Sequence, residues 1–105
     1  MKKYTLVLAT FLSFFLFSCS SSNIEKIVLC KNLNGISIDH EINTKEGYIK
    51  EIRSNENFLY DSKKNGNYYF ESSKDVRGKI YDPNKNTIDI TVNGMIVNTL
   101  NCKDK

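Results

Sequence analysis

The stretch TIDITVNGMIVNTLNC, residues 87–102, carries the strongest local structural signal in the chain. Its first part alternates Ile88, Ile90 and Val92 with polar residues, the two-residue period of a strand that buries one face. Asn93-Gly94 follows, a dipeptide that favours a tight hairpin turn because both residues tolerate positive φ angles. We expect two antiparallel strands joined by a two-residue turn. The predicted facing pairs are Val92 with Met95, Ile90 with Val97, and Ile88 with Thr99.

The second strand of this hairpin is apolar on both faces. Ile96, Leu100 and Cys102 fall on the face opposite to Met95 and Val97. A strand of this kind is covered on both sides or closes a barrel.

The stretch ISIDHEI, residues 36–42, repeats the alternation. His40 alternates with isoleucines, so we expect it to be partly buried and hydrogen-bonded. Asp39 and Glu41 point to the other face of the same strand and cannot converge with His40 on a metal ion.

Weaker strand patterns occupy much of the remaining chain. Turn-forming Asn, Gly, Asp and Pro residues separate them, and no window has sustained helical spacing, although residues 74–76 have room for one helical turn. The candidate strands are 25–31, 47–54, 57–61, 67–72 and 77–81. About eight short strands predict an all-β fold, a small antiparallel β-barrel or sandwich spanning residues 24–105.

The amino terminus has the plan of an export signal. Lys2 and Lys3 precede fourteen uncharged residues, 4–17, too few for a membrane span of ~20 residues but suited to the apolar region of a signal peptide. The sequence Leu16-Phe17-Ser18-Cys19 resembles a bacterial lipobox. This resemblance implies a signal peptide over residues 1–18, lipid attachment at Cys19 and a flexible tether over 19–23. The alternative is an ordinary signal peptide cut elsewhere, with Cys19 as a spare thiol.

Lipid on Cys19 would place the domain in the cell envelope as a membrane-anchored lipoprotein, because two or more acyl chains hold a protein firmly on a bilayer. The domain would face the periplasm or the cell exterior. Ser20 follows the cysteine where inner-membrane lipoproteins of two-membrane bacteria carry Asp. The outer membrane is therefore favoured over the inner one.

Removing the first 18 of 105 residues leaves 87, enough for one domain. Lys2 and Lys3 leave with the signal peptide, so 13 basic residues face 12 acidic ones and the net charge falls from +3 to +1. This balance gives no indication of a nucleic-acid partner.

The two remaining cysteines, Cys30 and Cys102, lie near the two ends of the domain. An even pair in an oxidising compartment predicts a disulfide. Two buried thiols or a metal pair are the alternatives, and no His or Cys at ligand spacing supports a metal site.

The residues that catalysis or cofactor binding would require do not form a recognisable pattern. The chain has one His, no Gly-rich phosphate loop that opens a helix, and no free nucleophilic Cys once lipid and disulfide are assigned. We therefore predict neither an enzyme nor a cofactor.

The whole plan resembles the membrane-bound inhibitors of c-type lysozyme, in its lipobox, its size, Cys30 with Cys102, and its strand-rich middle. The resemblance implies a small β-barrel and a lysozyme as partner. That family's signature loop is S-G-x-x-Y; here Gly66 and Tyr69 match it, and Asn65 stands where the family has Ser.

Other interpretations stay open. The segment 65–69 is also explained by a plain hairpin in which Tyr68 or Tyr69 packs on a sheet. The aromatic residues between 58 and 70 either form an exposed patch for a partner or belong to the core, the latter more so for Phe58 and Phe70. The remaining functional alternatives are a structural or interaction lipoprotein without a small ligand, and a carrier of a small apolar molecule, which needs an internal cavity.

Overall fold

The computed structural model describes residues 23–105, which form eight β-strands and no helix. The predicted signal peptide and Cys19 lie outside the described residues. The strands are β1 (Glu25–Lys31), β2 (Ser37–Asn43), β3 (Tyr48–Glu51), β4 (Glu56–Lys64), β5 (Asn67–Ser72), β6 (Arg77–Asp82), β7 (Thr87–Val92) and β8 (Met95–Asp104).

The eight strands close into an antiparallel barrel. Each strand pairs with its neighbours in sequence, and β8 pairs back with β1. The expectation of a small all-β barrel or sandwich is therefore confirmed as a barrel. Residues 74–76 contain no helical turn, and β3 ends earlier than expected because residues 52–55 form a turn in which Asn55 has a φ of 60°.

Because consecutive strands are antiparallel, the connections alternate between the two ends of the barrel. Connections 44–47, 65–66 and 83–86 share one end with residue 24, and we call it the tether end. Connections 32–36, 52–55, 73–76 and 93–94 share the other end, which we call the far end.

The interior is filled by side chains that the alternation along each strand turns inward. Its largest fully buried apolar members are Tyr81, Phe58 and Phe70. The smaller members of the same core are Val28, Cys30, Ile42, Ile49, Ile88 and Leu100. His40 is fully buried among them, and Asp39 and Glu41 lie on the other face of β2.

The Asn93-Gly94 turn has the expected geometry, with φ angles of 54° and 80°, and Val92 faces Met95 as predicted. The other two predicted pairs are wrong by one residue. Ile90 faces Asn98 and Ile88 faces Leu100, because the register shifts between Ile90 and Thr91. This β-bulge takes up one extra residue of β8 and brings Leu100 into the core, where it is 1% exposed.

The predicted disulfide is present. Cys30 on β1 and Cys102 on β8 face each other in the ladder that closes the barrel, and their sulfur atoms are bonded. The bridge joins residues 72 positions apart and covalently locks the first strand to the last.

Candidate functional site

A lysine lies inside the far half of the barrel. Lys79 on β6 is 2% exposed, because the strand turns it inward together with Tyr81. Its Nζ lies 3.0 Å from Oε2 of Glu51 on β3 and 2.7 Å from Nε2 of His40 on β2. These polar contacts link β6 to β2 and β3, which are not its neighbours in the sheet.

A second cation extends this network to the far rim. Arg77, at the start of β6, forms ion pairs with Glu56 on β4 and with Asp75, whose Oδ2 lies 3.0 Å away. The ring of Phe58 lies beneath both cations, with its centroid 5.6 Å from the Arg77 guanidinium carbon and 4.8 Å from Lys79 Nζ. At these distances an aromatic ring attracts a cation.

Burial controls the charge of the histidine. Removal from water, together with the nearby charge of Lys79, lowers the pKa of His40 to about 4, so the imidazole is neutral near pH 7. Neutral His40 accepts the hydrogen bond of Lys79 at Nε2. Its Nδ1 then carries the proton and donates to the carbonyl of Ile38, 3.3 Å away; we assign this tautomer from the two partners.

Lys79 and Glu51 stabilise each other's charged forms. Burial lowers the pKa of Lys79, and Glu51 opposes that shift. Burial alone would raise the pKa of Glu51, but the hydrogen bond and charge of Lys79 bring it below its ordinary value. Every buried side-chain nitrogen and oxygen in residues 23–105 has a hydrogen-bond partner. The network is therefore saturated, which suits an internal support.

The outer surface of the far end is apolar. Ten large hydrophobic side chains are exposed within residues 23–105, and seven of them lie in the far-end connections or at the start of β8. These seven, the far-end apolar set, are Leu33, Ile36, Ile52, Val76, Met95, Ile96 and Val97. All four far-end hairpins contribute, so the set surrounds the barrel opening.

The same end carries cations without acidic partners. Lys31, Arg53 and Lys74 are exposed, and none of them lies within 4.0 Å of a carboxylate in the described part of the chain. Three acids of this end are engaged: Glu51 pairs with Lys79, and Glu56 and Asp75 pair with Arg77. Glu71, exposed near the far end of β5, forms no ion pair with another described residue. The far rim therefore presents apolar side chains beside three unpaired cations and one unpaired acid.

The segment that resembles the lysozyme-inhibitor loop lies at the opposite end. Asn65 and Gly66, with φ angles of 53° and 84°, form a two-residue turn between β4 and β5. Tyr69 follows on β5, half-buried, with Lys64 Nζ 5.4 Å from its ring centroid. The structure thus places Asn65, Gly66 and Tyr69 in one hairpin at the tether end.

The aromatic residues near this hairpin divide between core and surface. Phe58 and Phe70 are core residues, whereas Tyr68 and Tyr69 are half-buried. Tyr60 is exposed and packs edge-on against Phe70 at 6.0 Å between ring centroids. The expectation that Phe58 and Phe70 belong to the core is confirmed.

The depressions of the surface are open to solvent. One, of about 130 Å³, lies over the outer face of Gly78 between Tyr69 and Thr91. A wider one, of about 460 Å³, is lined by Leu29, Ile52 and neighbouring polar residues. Both lie outside the barrel, whose interior positions are occupied by the core side chains.

Sequence reasoning missed two features of this site. The first is the buried Lys79, because a lysine in a short strand is expected to be exposed to solvent, and its partners Glu51 and His40 lie 28 and 39 residues away in the sequence. His40 was the signal in the sequence that could have indicated a polar interior, since a buried imidazole needs a polar partner. The far-end apolar set was visible as single residues, but only the strand order shows that they share one end.

Comparison of the chain with protein-family models, with curated proteins and with solved structures gave no significant match. Within residues 23–105, no three His, Cys, Asp or Glu side chains gather as metal ligands. The same residues contain no helix long and apolar enough to span a bilayer.

Proposed function

We propose that this chain is a cell-envelope lipoprotein, anchored through lipid on Cys19, whose barrel is a non-enzymatic binding module. Its binding face is the far end. The observation that carries the proposal is the concentration of seven of the ten exposed large hydrophobic side chains at that end. Exposed apolar clusters rimmed by polar residues mark interaction sites with proteins or membranes.

The path of the chain orients this face. Ile24 is fixed at the tether end by two hydrogen bonds with Thr44, each 2.8 Å long. The tether, 19–23, has five residues, whereas β1 alone has seven. Even fully extended, the tether is shorter than β1 measured along the strand. An anchor at Cys19 therefore keeps the tether end close to the anchoring membrane and prevents the far end from pointing straight at it.

Two observations favour binding at the surface over catalysis or carriage. The titratable interior groups His40, Lys79 and Glu51 are joined by hydrogen bonds through Lys79, so none of these three is free to act as an acid or a base. Tyr81, Phe58 and Phe70 occupy the space in which a carrier would hold its ligand.

Inhibition of a lysozyme, which the resemblance implies, remains a prediction, and it would involve the tether end of the barrel. Purified residues 20–105 slow a c-type lysozyme if the Asn65–Tyr69 hairpin acts as the family's loop does, and Tyr69→Ala then relieves the inhibition. Full lysozyme activity at micromolar domain concentrations would remove this candidate.

Anchor and orientation are tested together on full-length protein in bacterial membranes. Wild type incorporates an acyl label, and Cys19→Ala does not. A fluorophore on Lys85→Cys, at the tether end, is quenched by quenchers in the anchoring bilayer, whereas one on Asn34→Cys, at the far end, is not. Acylation of Cys19→Ala, or equal quenching at both positions, would refute the proposal.

A further inference from the structure

We propose that the far end docks on an anionic lipid bilayer, facing the membrane that holds the anchor. This inference rests on the proposed function and names the partner of its binding face. The far-end apolar set enters the interface of the second bilayer, and Lys31, Arg53 and Lys74 contact its headgroups.

Two members of the far-end apolar set protrude almost free of contacts. Leu33 is 92% exposed and Met95 71%, so neither packs against a neighbouring side chain to any large extent. Binding energy between proteins concentrates in well-packed, complementary pockets. A fluid lipid interface requires no matching shape, and it accepts separate apolar tips arranged around a barrel opening.

The turn that carries the most exposed tip pairs several of its own backbone groups. The side chain of Asn32 accepts hydrogen bonds from the backbone N–H groups of Asn34 and Ile36, at 2.9 and 3.0 Å. The N–H of Gly35 donates to the Asn32 carbonyl at 3.0 Å, and the N–H of Asn32 donates to the Ile36 carbonyl at 3.2 Å. Unpaired backbone groups are costly in lipid, so internal pairing lowers the cost of inserting Leu33.

The charges fit an anionic surface. The three unpaired cations lie on three of the four far-end connections or beside them, and they outnumber the one exposed acid of that end that has no ion pair within residues 23–105, Glu71; Glu51, Glu56 and Asp75 are held by Lys79 and Arg77. Basic residues near an anionic membrane each add favourable binding, and apolar insertion adds to it. A second copy of this end would instead bring like charges together.

The test is sedimentation of residues 20–105 with phospholipid vesicles. All eight strands, the core and the disulfide lie within 24–105, so this domain contains its own fold. We expect binding to phosphatidylglycerol vesicles at low ionic strength, weaker binding at physiological salt, and little binding to phosphatidylcholine vesicles.

Two pairs of matched variants locate the contact. Leu33→Ser/Met95→Ser at the far end lowers the affinity about tenfold or more, and Leu59→Ser, at an exposed position on the barrel wall, leaves it within about twofold. Lys31→Gln/Lys74→Gln lowers the affinity about tenfold or more, whereas Lys45→Gln/Lys85→Gln at the tether end changes it less. All variants should retain the wild-type circular dichroism spectrum.

Wild-type domain that fails to sediment with anionic vesicles, or wall and tether-end variants that lose as much affinity as the far-end ones, would overturn lipid docking. If the acyl label and the quenching pattern are as proposed but vesicles do not bind, the anchored binding module stands without its lipid partner. A protein from envelope extract that is retained by the wild-type far end and lost in Leu33→Ser/Met95→Ser, without vesicle binding, would likewise replace the lipid by a protein.

Discussion

At the far end the barrel is charged inside and apolar outside, whereas at the tether end it is apolar inside and polar outside. Inside the far end, buried Lys79 pairs with the partly exposed Glu51 below a rim of exposed hydrophobic side chains. Inside the tether end, Ile42 and Ile88 are fully buried, and the connections outside carry residues such as Lys85.

The contrast shows that the barrel requires side chains to alternate between its inside and its outside, but does not require every inward-facing side chain to be apolar. The pleat decides which residues face inward. The inward-facing residues can be of either kind, provided that each finds suitable partners. At one end these partners are apolar neighbours, and at the other they are hydrogen-bonding groups and opposite charges.

The largest expected effect on stability comes from removing the disulfide, which should weaken both ends of the barrel alike. Cys30→Ala/Cys102→Ala opens the seam between β1 and β8, and the loss of a bridge across 72 positions should lower the free energy of unfolding by about 4 kcal/mol. Urea unfolding measures this change, and hydrogen exchange should quicken at both ends. A loss below about 1 kcal/mol would show that the strand ladder closes the barrel without help.

Acid should weaken the barrel through the interior of the far half. The pKa of His40 is about 4 in the folded protein against 6.5 unfolded, so between these values the unfolded chain binds a proton that the folded one does not. Stability is full above pH 6.5 and falls as the pH drops toward 4, by about 3 kcal/mol. Glu51, whose pKa is also lowered, adds a loss in the same direction as the pH falls through its folded value.

His40 is the only histidine, so its NMR titration is unambiguous. His40→Gln should flatten the pH profile of unfolding between pH 6.5 and 4. A folded-state pKa near 6.5, or an unchanged profile in the variant, would contradict the buried neutral imidazole.

Substitutions inside the two ends should differ in size. Ile42→Val, at the tether end, removes one buried methyl group and should cost about 1 kcal/mol. Lys79→Met, at the far end, leaves Glu51 without its cation and Nε2 of the buried His40 without its donor, and should cost about 2 kcal/mol or more. Urea unfolding at pH 7 compares the two, and a far-end loss no larger than that of Ile42→Val would show that the network does not support the fold.

The smallest effect is expected on the outer surface. Leu33→Ser and Met95→Ser should change the free energy of unfolding by less than about 0.5 kcal/mol, because these side chains make few contacts. Thermal unfolding of each variant checks this. A marked destabilisation would show that the far-end tips belong to the fold rather than to a docking surface.

The sequence was informative where a signal is local. The period-two pattern and Asn93-Gly94 predicted the last hairpin and its turn, and two cysteines left after Cys19 predicted the bridge. The β-bulge could not be predicted, because Met95, Ile96 and Val97 are all apolar. Three consecutive apolar residues interrupt the alternation, so the sequence does not show which residue of β8 is the extra one.

The candidate site depends on contacts between distant strands. Lys79 becomes an interior residue only when β2 and β3 close over β6, and no local pattern in RGKIYD, residues 77–82, distinguishes it from a surface lysine. The shared end of Leu33 and Met95 likewise follows from the sequential strand order, which periodicity does not specify.

The chain also leaves the barrel beside the point where it arrives, since β8 pairs with β1 and the N–H of Lys105 donates to the carbonyl of Ile27. A domain fused after Lys105 would therefore lie near the point where the chain enters the barrel at Ile24 and would leave the opposite opening unobstructed. The four far connections could receive grafted peptides that are displayed outward while Ile24 and the Cys30–Cys102 bridge stay unchanged.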